Sequence, residues 1–420
     1  MKLSEIRHAQ HTLRWFQRHW RIQGRRTPLR TYDFKVLARH NIPVENALDV
    51  IKEPYSKLWT DADFAPYGTT GKVLPLDENH PLYHEEPLYT FKDHNVLVEG
   101  VEQAKLLTKT VEVKAGLPAE IENRIGKTPS HPDQHTFVER LILSSVLFDL
   151  KQNKLPRLID PKRPAWVFPP RYGVKDQRKN LLMFNRLLQL TENIFGGEIM
   201  NNRHVVHDAA ISVPIKADGL NIQFEITAEM LLMAESALPK LVDVPRGLAL
   251  PDLYPLKPHI SLEECNHYEM TDKFPLKPSA GKLFTHTAFL HFNADTEVQN
   301  LYDEPVTDSQ FLSRSLVKSF AIAAAQARYI YGNDVEDLPE PIVIQSIHTD
   351  SVNFHFNVFQ LNTLNINSKH DVRNVWWSDP MIKLYSQGDF VDGIPVLDDY
   401  NPEVFEKFLA FYSNVFGGAD

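Results

Sequence analysis

PIVIQSIHTDSVNFHFNVFQL, residues 341–361, reads as two strands around a turn. Pro341–Ile347 and Val352–Leu361 are rich in β-branched and aromatic residues, whereas His348, Thr349, Asp350 and Ser351 have turn chemistry. Along the second strand Val352, Phe354, Phe356 and Val358 share one face. Asn353, His355 and Asn357 share the other, which reads as a polar outer face. An antiparallel hairpin at this point commits the C-terminal part of the chain to a sheet.

The flanking sequence supplies the rest of an α+β domain. Asp308 is placed to cap a helix running through Tyr331, with Gly332 just past its end. Leu312, Leu316, Phe320, Ala323, Ala324 and Ala327 form its apolar stripe, and the alanines permit close approach to a partner surface. Phe284–Phe292 reads as a strand. Val205–Ile215 and Leu220–Thr227 flank Ala217-Asp218-Gly219, a strong hairpin cue. In the second of these runs Leu220, Ile222, Phe224 and Ile226 alternate with Asn221, Gln223, Glu225 and Thr227, which predicts one buried and one wetted face. A final helix starts at Asn401 with Pro402 in its first position, burying Val404, Phe405, Phe408, Leu409 and Tyr412. The predicted fold class is α+β: a mixed or largely antiparallel sheet with flanking helices, preceded by an extended N-terminal segment.

Upstream the chain divides by composition. Residues 196–420 hold the α+β domain and residues 96–195 a mainly helical region. Helical patterns there cover Val96–Val111, Gln134–Leu150 (with Phe137, Leu141, Ile142 and Val146 recurring) and about Asp176–Phe195, stopped by Gly196-Gly197. Pro156–Pro170 breaks the periodicity as a linker. Residues 31–95 are rich in proline and aromatics and read as an extended segment draped on other surfaces. Residues 1–30 form a basic arm with eight Lys and Arg against Glu5 alone, in a chain of net charge −9. Ile6, Ala9, Leu13, Phe16 and Trp20 lie on one helical face, with arginines off it. An amphipathic, arginine-rich, acid-poor N-terminus describes a mitochondrial presequence. A basic surface helix of the mature protein has the same composition, and RNA contact would need the same charge.

The chain has 420 residues, 43% hydrophobic and 24% charged, which is ordinary for a soluble globular protein. No apolar run approaches the roughly 20 residues of a membrane span. Cys265 is the single cysteine, which excludes an internal disulfide framework and a four-cysteine zinc site.

The reactive-looking clusters each lack a part. Ser351 and His355 lie four apart along a strand, about 13 Å, too far for a nucleophile and its base. His348 and His355 have no third and fourth zinc ligand nearby. His131 and His135 are separated by Pro132, which places His131 outside the helix that follows. Cys265 and His267, with His259 and Glu263 near, have no second pair at zinc-site spacing. Tyr67–Val73 suggests a phosphate loop, but Pro66 and Val73 stand where glycine and a hydroxyl are required. No catalytic, cofactor or metal residue is assigned.

One charged patch remains. Residues 151–186 hold ten Lys and Arg against Asp160 and Asp176, with Trp166, Phe168 and Tyr172 interleaved. Phosphate neutralisation and stacking are how irregular RNA is held. The RNA-binding candidates are Arg14, Arg18, Arg21, Arg25 and Arg26 of the arm, and Lys162, Arg163, Arg171, Lys175, Arg178 and Lys179 of this patch. A solvated linker with its aromatics in the core is the alternative.

EGVEQAKLLTKT (Glu99–Thr110) with Gly116–Pro118, HPLY (His80–Tyr83), ECN (Glu264–Asn266) and AQARYIYGND (Ala325–Asp334) resemble a mitochondrial ribosomal protein family. PIVIQS (Pro341–Ser346), HTD (His348–Asp350), FHFNVFQLNT (Phe354–Thr363) and KFLAFY (Lys407–Tyr412) continue the resemblance in family order. The family is that of protein 37 of the large subunit and its paralogue, programmed cell death protein 9. The resemblance implies a non-catalytic component of the large mitochondrial ribosomal subunit, imported into the matrix. The partners it implies are large-subunit ribosomal RNA and neighbouring ribosomal proteins, with pairing to the paralogue. Little is recognised between about residues 150 and 255, so no RNA-contacting residue is carried over from the family. The competing readings are a metal-dependent hydrolase built on His348, Asp350 and His355, with Cys265 and His267 as further candidates, and a degenerate enzyme fold reused as a binding module.

Overall fold

The computed structural model describes residues 32–44, 77–113, 116–128, 131–155, 157, 160, 162–163, 165–276, 283–292 and 305–414. Contacts divide the chain into two units, Met1–Pro75 and Leu76–Asp420. In the first, a short helix α1 (Tyr32–Arg39) is described. The basic arm, with Arg14, Arg18, Arg21, Arg25 and Arg26, lies outside the described residues, as does most of the proline- and aromatic-rich segment.

The second unit is built on one large sheet. Its early strands are β1 (Tyr83–Lys92) and β2 (Thr110–Val113), followed by a small separate ribbon of β3 (Asn153–Leu155) and β4 (Arg171–Gly173). The sheet continues with β5 (Arg203–Ala217), β6 (Leu220–Ala234), β7 (Glu263–His267), β8 (Phe284–His291), β9 (Asp337–Thr349) and β10 (Asn353–Thr363). It ends with β11 (Asn374–Ser378) and β12 (Ile382–Lys383), and β13 (Gln387–Val391) and β14 (Ile394–Asp398) form a second ribbon. The order is β2-β11-β10-β9-β8-β6-β1-β7, with β5 on β6 and β12 on β10. The sheet is mixed: β1 with β6, β8 with β9 and β11 with β2 are parallel, and the other pairs are antiparallel.

Both faces of the sheet are covered. The helices are α2 (Gly100–Leu107), α3 (Ala119–Glu122), α4 (Gln134–Val146), α5 (Asp176–Phe195), α6 (Gly197–Met200), α7 (Asp308–Tyr331) and α8 (Pro402–Tyr412). On one face α2 and α7 pack over Ile211, Phe224, Ile226, Leu290, Ile344, Phe359 and Trp376. On the other α4, α5 and α8 pack over Met230, Leu232, Phe289, Val343, Phe354, Phe356 and Trp377. Neighbouring residues of one strand feed opposite cores, as at Val358 and Phe359. This is the period-2 alternation expected of a strand buried on both sides.

Local sequence sets the turns and caps. The Asp350 carboxylate accepts hydrogen bonds from the Val352 and Asn353 amides at 2.9 and 2.7 Å, closing the β9–β10 turn. Asp218 and Gly219 both have positive φ, 48° and 82°, as a two-residue hairpin turn of this twist requires. Gly100 is required by close approach: a Cβ there would sit 2.9 Å from the Ser309 carbonyl carbon of α7. The Asn401 side chain accepts from the Glu403 amide at 3.0 Å and Pro402 opens α8. Asn401→Ala is expected to lower stability by about 1 kcal/mol, read as a shift in the urea midpoint at unchanged slope.

Four expectations are corrected. The helical pattern Val96–Val111 ends at Leu107, and Thr110–Val113 becomes β2, because pairing with β11 overrides local preference. The cap of α7 is Thr307, one residue before Asp308, in a reciprocal capping box with Gln310. On α4 the buried positions are Gln134, Val138, Ile142 and Ser145, and Phe137 faces outward. The polar faces of β6 and β10 are covered in large part, with Glu225, Thr227 and Asn353 half-buried. Asn221 and Gln223 are buried under the chain at Tyr268 and Thr271, and His355 and Asn357 are buried beneath α7.

Candidate nucleic-acid interface

The basic patch is split by the fold. Lys151, Lys154, Arg157, Lys162, Arg163, Arg171 and Lys175 are exposed. Three cations turn inward. Arg178 forms a two-pronged pair with Asp149, its Nη2 lying 3.1 Å from Oδ1. Lys179 Nζ is 2.8 Å from Asp176 Oδ1, and Arg186 Nη1 donates to the Ser144 and Ser145 hydroxyls at 2.6 and 3.0 Å. The Arg178 hydrogen bond holds the Asp149 carboxyl below its ordinary value. Of the candidates in this patch, Lys162, Arg163, Arg171 and Lys175 therefore offer charge to solvent, while Arg178 ties α5 to Asp149 and Lys179 is paired within the first turn of α5.

The aromatics stand with the exposed cations. Tyr172 is 66% and Trp166 63% exposed, and Phe168 is half-buried. In the β3–β4 ribbon Lys154 is directly opposite Tyr172, and Leu155 opposite Arg171. Opposite residues of an antiparallel pair project to the same side. Tyr172 and Lys154 thus share one exposed face.

The other candidates resolve into structure. His348 and His355 are cross-strand neighbours facing α7, both fully buried. Both His355 nitrogens are used, Nδ1 at 3.0 Å from Ser315 Oγ and Nε2 at 3.0 Å from Ser378 Oγ. His348 stacks on Phe311 with ring centroids 4.1 Å apart. Asn357 completes this layer: its amide donates to Ser315 Oγ at 2.8 Å, and its carbonyl accepts from Ser319 Oγ and Trp376 Nε1 at 3.2 and 3.1 Å. Burial pushes the His355 imidazole down to about 3, so it is neutral at physiological pH. Cys265 is exposed and donates to the His267 carbonyl. His131 Nδ1 accepts from the Asp133 amide, and His135 lies 3.1 Å from the Tyr400 hydroxyl. Among the described residues no group of three His, Cys, Asp or Glu is placed to hold a metal ion, and no helix is long and apolar enough to cross a membrane.

Two features had no clear sequence signal. One is the buried polar layer beneath α7, although Ser315 and Ser319, four apart on one helix face, hint at it. The other is an exposed apolar cluster. Phe148 and Phe390 meet edge-to-face at 5.5 Å, with Leu150, Val391 and Ile394 exposed beside them in the chain.

"Large ribosomal subunit protein mL37" of Rattus norvegicus is 30% identical over 376 residues, covering 86% of this chain and 81% of that protein. The chain belongs to the mL37 family. The mL37 of Mus musculus matches to the same extent, and that of Bos taurus is 28% identical over 377 residues. A family model described as "Mitochondrial 28S ribosomal protein S30 (PDCD9)" matches residues 254–415. The two descriptions carry different subunit names. The mL37 match covers far more of the chain, whereas the PDCD9 match takes in α7, the β9–β10 hairpin and α8. The mL37 relationship thus extends beyond the C-terminal motifs on which the resemblance is strongest.

Proposed function

We propose that this chain is a non-catalytic structural component of the large subunit of the mitochondrial ribosome, working in the matrix. It contacts ribosomal RNA through the exposed basic ribbon and neighbouring proteins through its apolar and acidic surfaces. The observation that carries this reading is the concentration of seven outward-facing cations with Trp166 and Tyr172 in one stretch of a chain whose net charge is −9. Such a stretch binds polyanion by releasing counterions, largely independent of sequence. The names of the mL37 relatives, proteins of the large ribosomal subunit, support ribosomal RNA as the polyanion. The exposed cluster of Phe148, Leu150, Phe390, Val391 and Ile394 supports a protein neighbour, since apolar side chains gathered at a surface mark interaction sites. We propose the PDCD9-type paralogue as one such neighbour. The arginine-rich arm then serves import.

The test is sedimentation of mitochondrial lysate followed by RNA crosslinking. The chain should travel with the large subunit, with crosslinked peptides falling in residues 151–175. Reversing Lys154, Arg171 and Lys175 to glutamate should reduce the crosslinks at least about tenfold, since each lost phosphate contact removes part of a steep electrostatic term. A chain found free at the top of the gradient would overturn the proposal.

A further inference from the structure

We infer that the β3–β4 ribbon and its connection bind unpaired RNA rather than duplex, with Tyr172 and Trp166 stacking on exposed bases while Lys154 and Lys175 meet the phosphates. This rests on the RNA contact proposed above and names the kind of RNA. The rings are the decisive feature. Tyr172 and Trp166 leave about two thirds of their surface in water, at 66% and 63% exposure, and neither makes a ring contact among the described residues. Large aromatic surface left uncovered beside cations is suited to a flat ligand. In a duplex each base face is already covered by its neighbour, so only edges and phosphates are offered. A duplex would use the lysines and leave the rings idle.

The electrostatics agree. Asp149 is engaged by Arg178 and Asp176 by Lys179, and the Asp160 carboxylate accepts the Lys162 backbone amide. Lys154, Arg171 and Lys175 carry no ion pair among the described residues and are exposed. Lys154 sits directly across from Tyr172, about 5 Å between Cβ atoms in such a pair, so one nucleotide meets a ring and a cation together. The other face of the ribbon carries half-buried Leu155 and Asn153, with exposed Arg171 opposite Leu155. A Cβ on Gly173 would lie 2.9 Å from Leu155 Cδ1, which keeps the pairing tight without a side chain there.

The experiment titrates the full chain with a single-stranded oligouridylate and with an RNA duplex of equal length, by fluorescence anisotropy at several salt concentrations. The single strand should bind about tenfold or more tighter than the duplex. Tyr172→Ala and Trp166→Ala should each weaken single-strand binding about tenfold and leave duplex binding unchanged, whereas Tyr172→Phe keeps the ring and the affinity. Lys154→Gln should weaken both and lower the single-strand salt slope by about 0.7. Equal binding of both RNAs, insensitive to loss of either ring, overturns the stacking inference and leaves the RNA contact standing. Binding of neither overturns the RNA contact itself.

Discussion

Acidification from pH 7 to pH 5 is expected to remove about 4 kcal/mol of folding stability through two buried histidines, about 2 kcal/mol each. Burial pushes His355 down to about 3, and burial with the Arg203 guanidinium nearby does the same to His286. His348, fully buried near Arg314, moves in the same direction. The sign follows from where protons go. The unfolded chain takes up a proton on each imidazole near 6.5, whereas the folded chain refuses it until about 3. Stability from these groups is therefore complete above about pH 6.5, falls as pH drops through that value, and levels off below about 3. Urea titrations at a series of pH values measure it. His355→Gln, which keeps a hydrogen-bonding side chain for Ser315 or Ser378, should lower stability at neutral pH but remove about 2 kcal/mol of the pH dependence. A flat profile between pH 7 and 5 would contradict this account of both sites, His355 beneath α7 and His286 beside Arg203 and the Asn414 carbonyl.

Asp93→Ala is expected to destabilise the fold by about 3–5 kcal/mol, because it strands buried cations. Lys318, fully buried on α7, has its ammonium 2.7 Å from Asp93 Oδ1 and 2.9 Å from the Thr227 carbonyl. Arg314, one turn earlier, lies 3.8 Å from the same carboxylate and donates to the Asp93 backbone carbonyl. Asp93 also accepts from the Thr227 amide at 2.8 Å, so one side chain joins the end of β1 to β6 and α7. Burial raises the Asp93 carboxyl, but Lys318 and Arg314 outweigh it and hold the group below its ordinary value. Its stabilisation is present above about pH 4 and is lost as pH falls through the lowered value. The companion measurement is a double variant. Asp93→Ala with Lys318→Met should recover a large part of the loss, since removing both charges costs far less than isolating one. If the single and double variants unfold at the same urea concentration, the pair does not carry the coupling assigned to it.

What the sequence disclosed was local, and what it concealed was tertiary. Asp176–Phe195, the Asp218-Gly219 turn and the Asn401-Pro402 start are read correctly because each rests on neighbouring residues alone. Thr110–Val113 was hidden because its strand character comes from β11, more than half the chain later. The polar side of β10 was legible as a face, but its alternation does not say whether water or α7 covers it. The charge of residues 151–186 was plain. Which cations face outward was not, since that depends on Asp149 reaching Arg178 and on α5 packing against α4. The cluster at Phe148 and Phe390 joins segments with no common pattern, so no periodicity announces it.

The interleaved strand order governs the schedule on which the molecule is completed. Among the described residues β2 has its ladder partner in β11, and β1 has its partners in β6 and β7, so the early strands wait for chain that arrives far later. Closing such wide loops is entropically slow and leaves intermediates with uncovered apolar surface. A chain that emerges N-terminus first must hold Phe91 and Leu107 unsealed until α7 arrives.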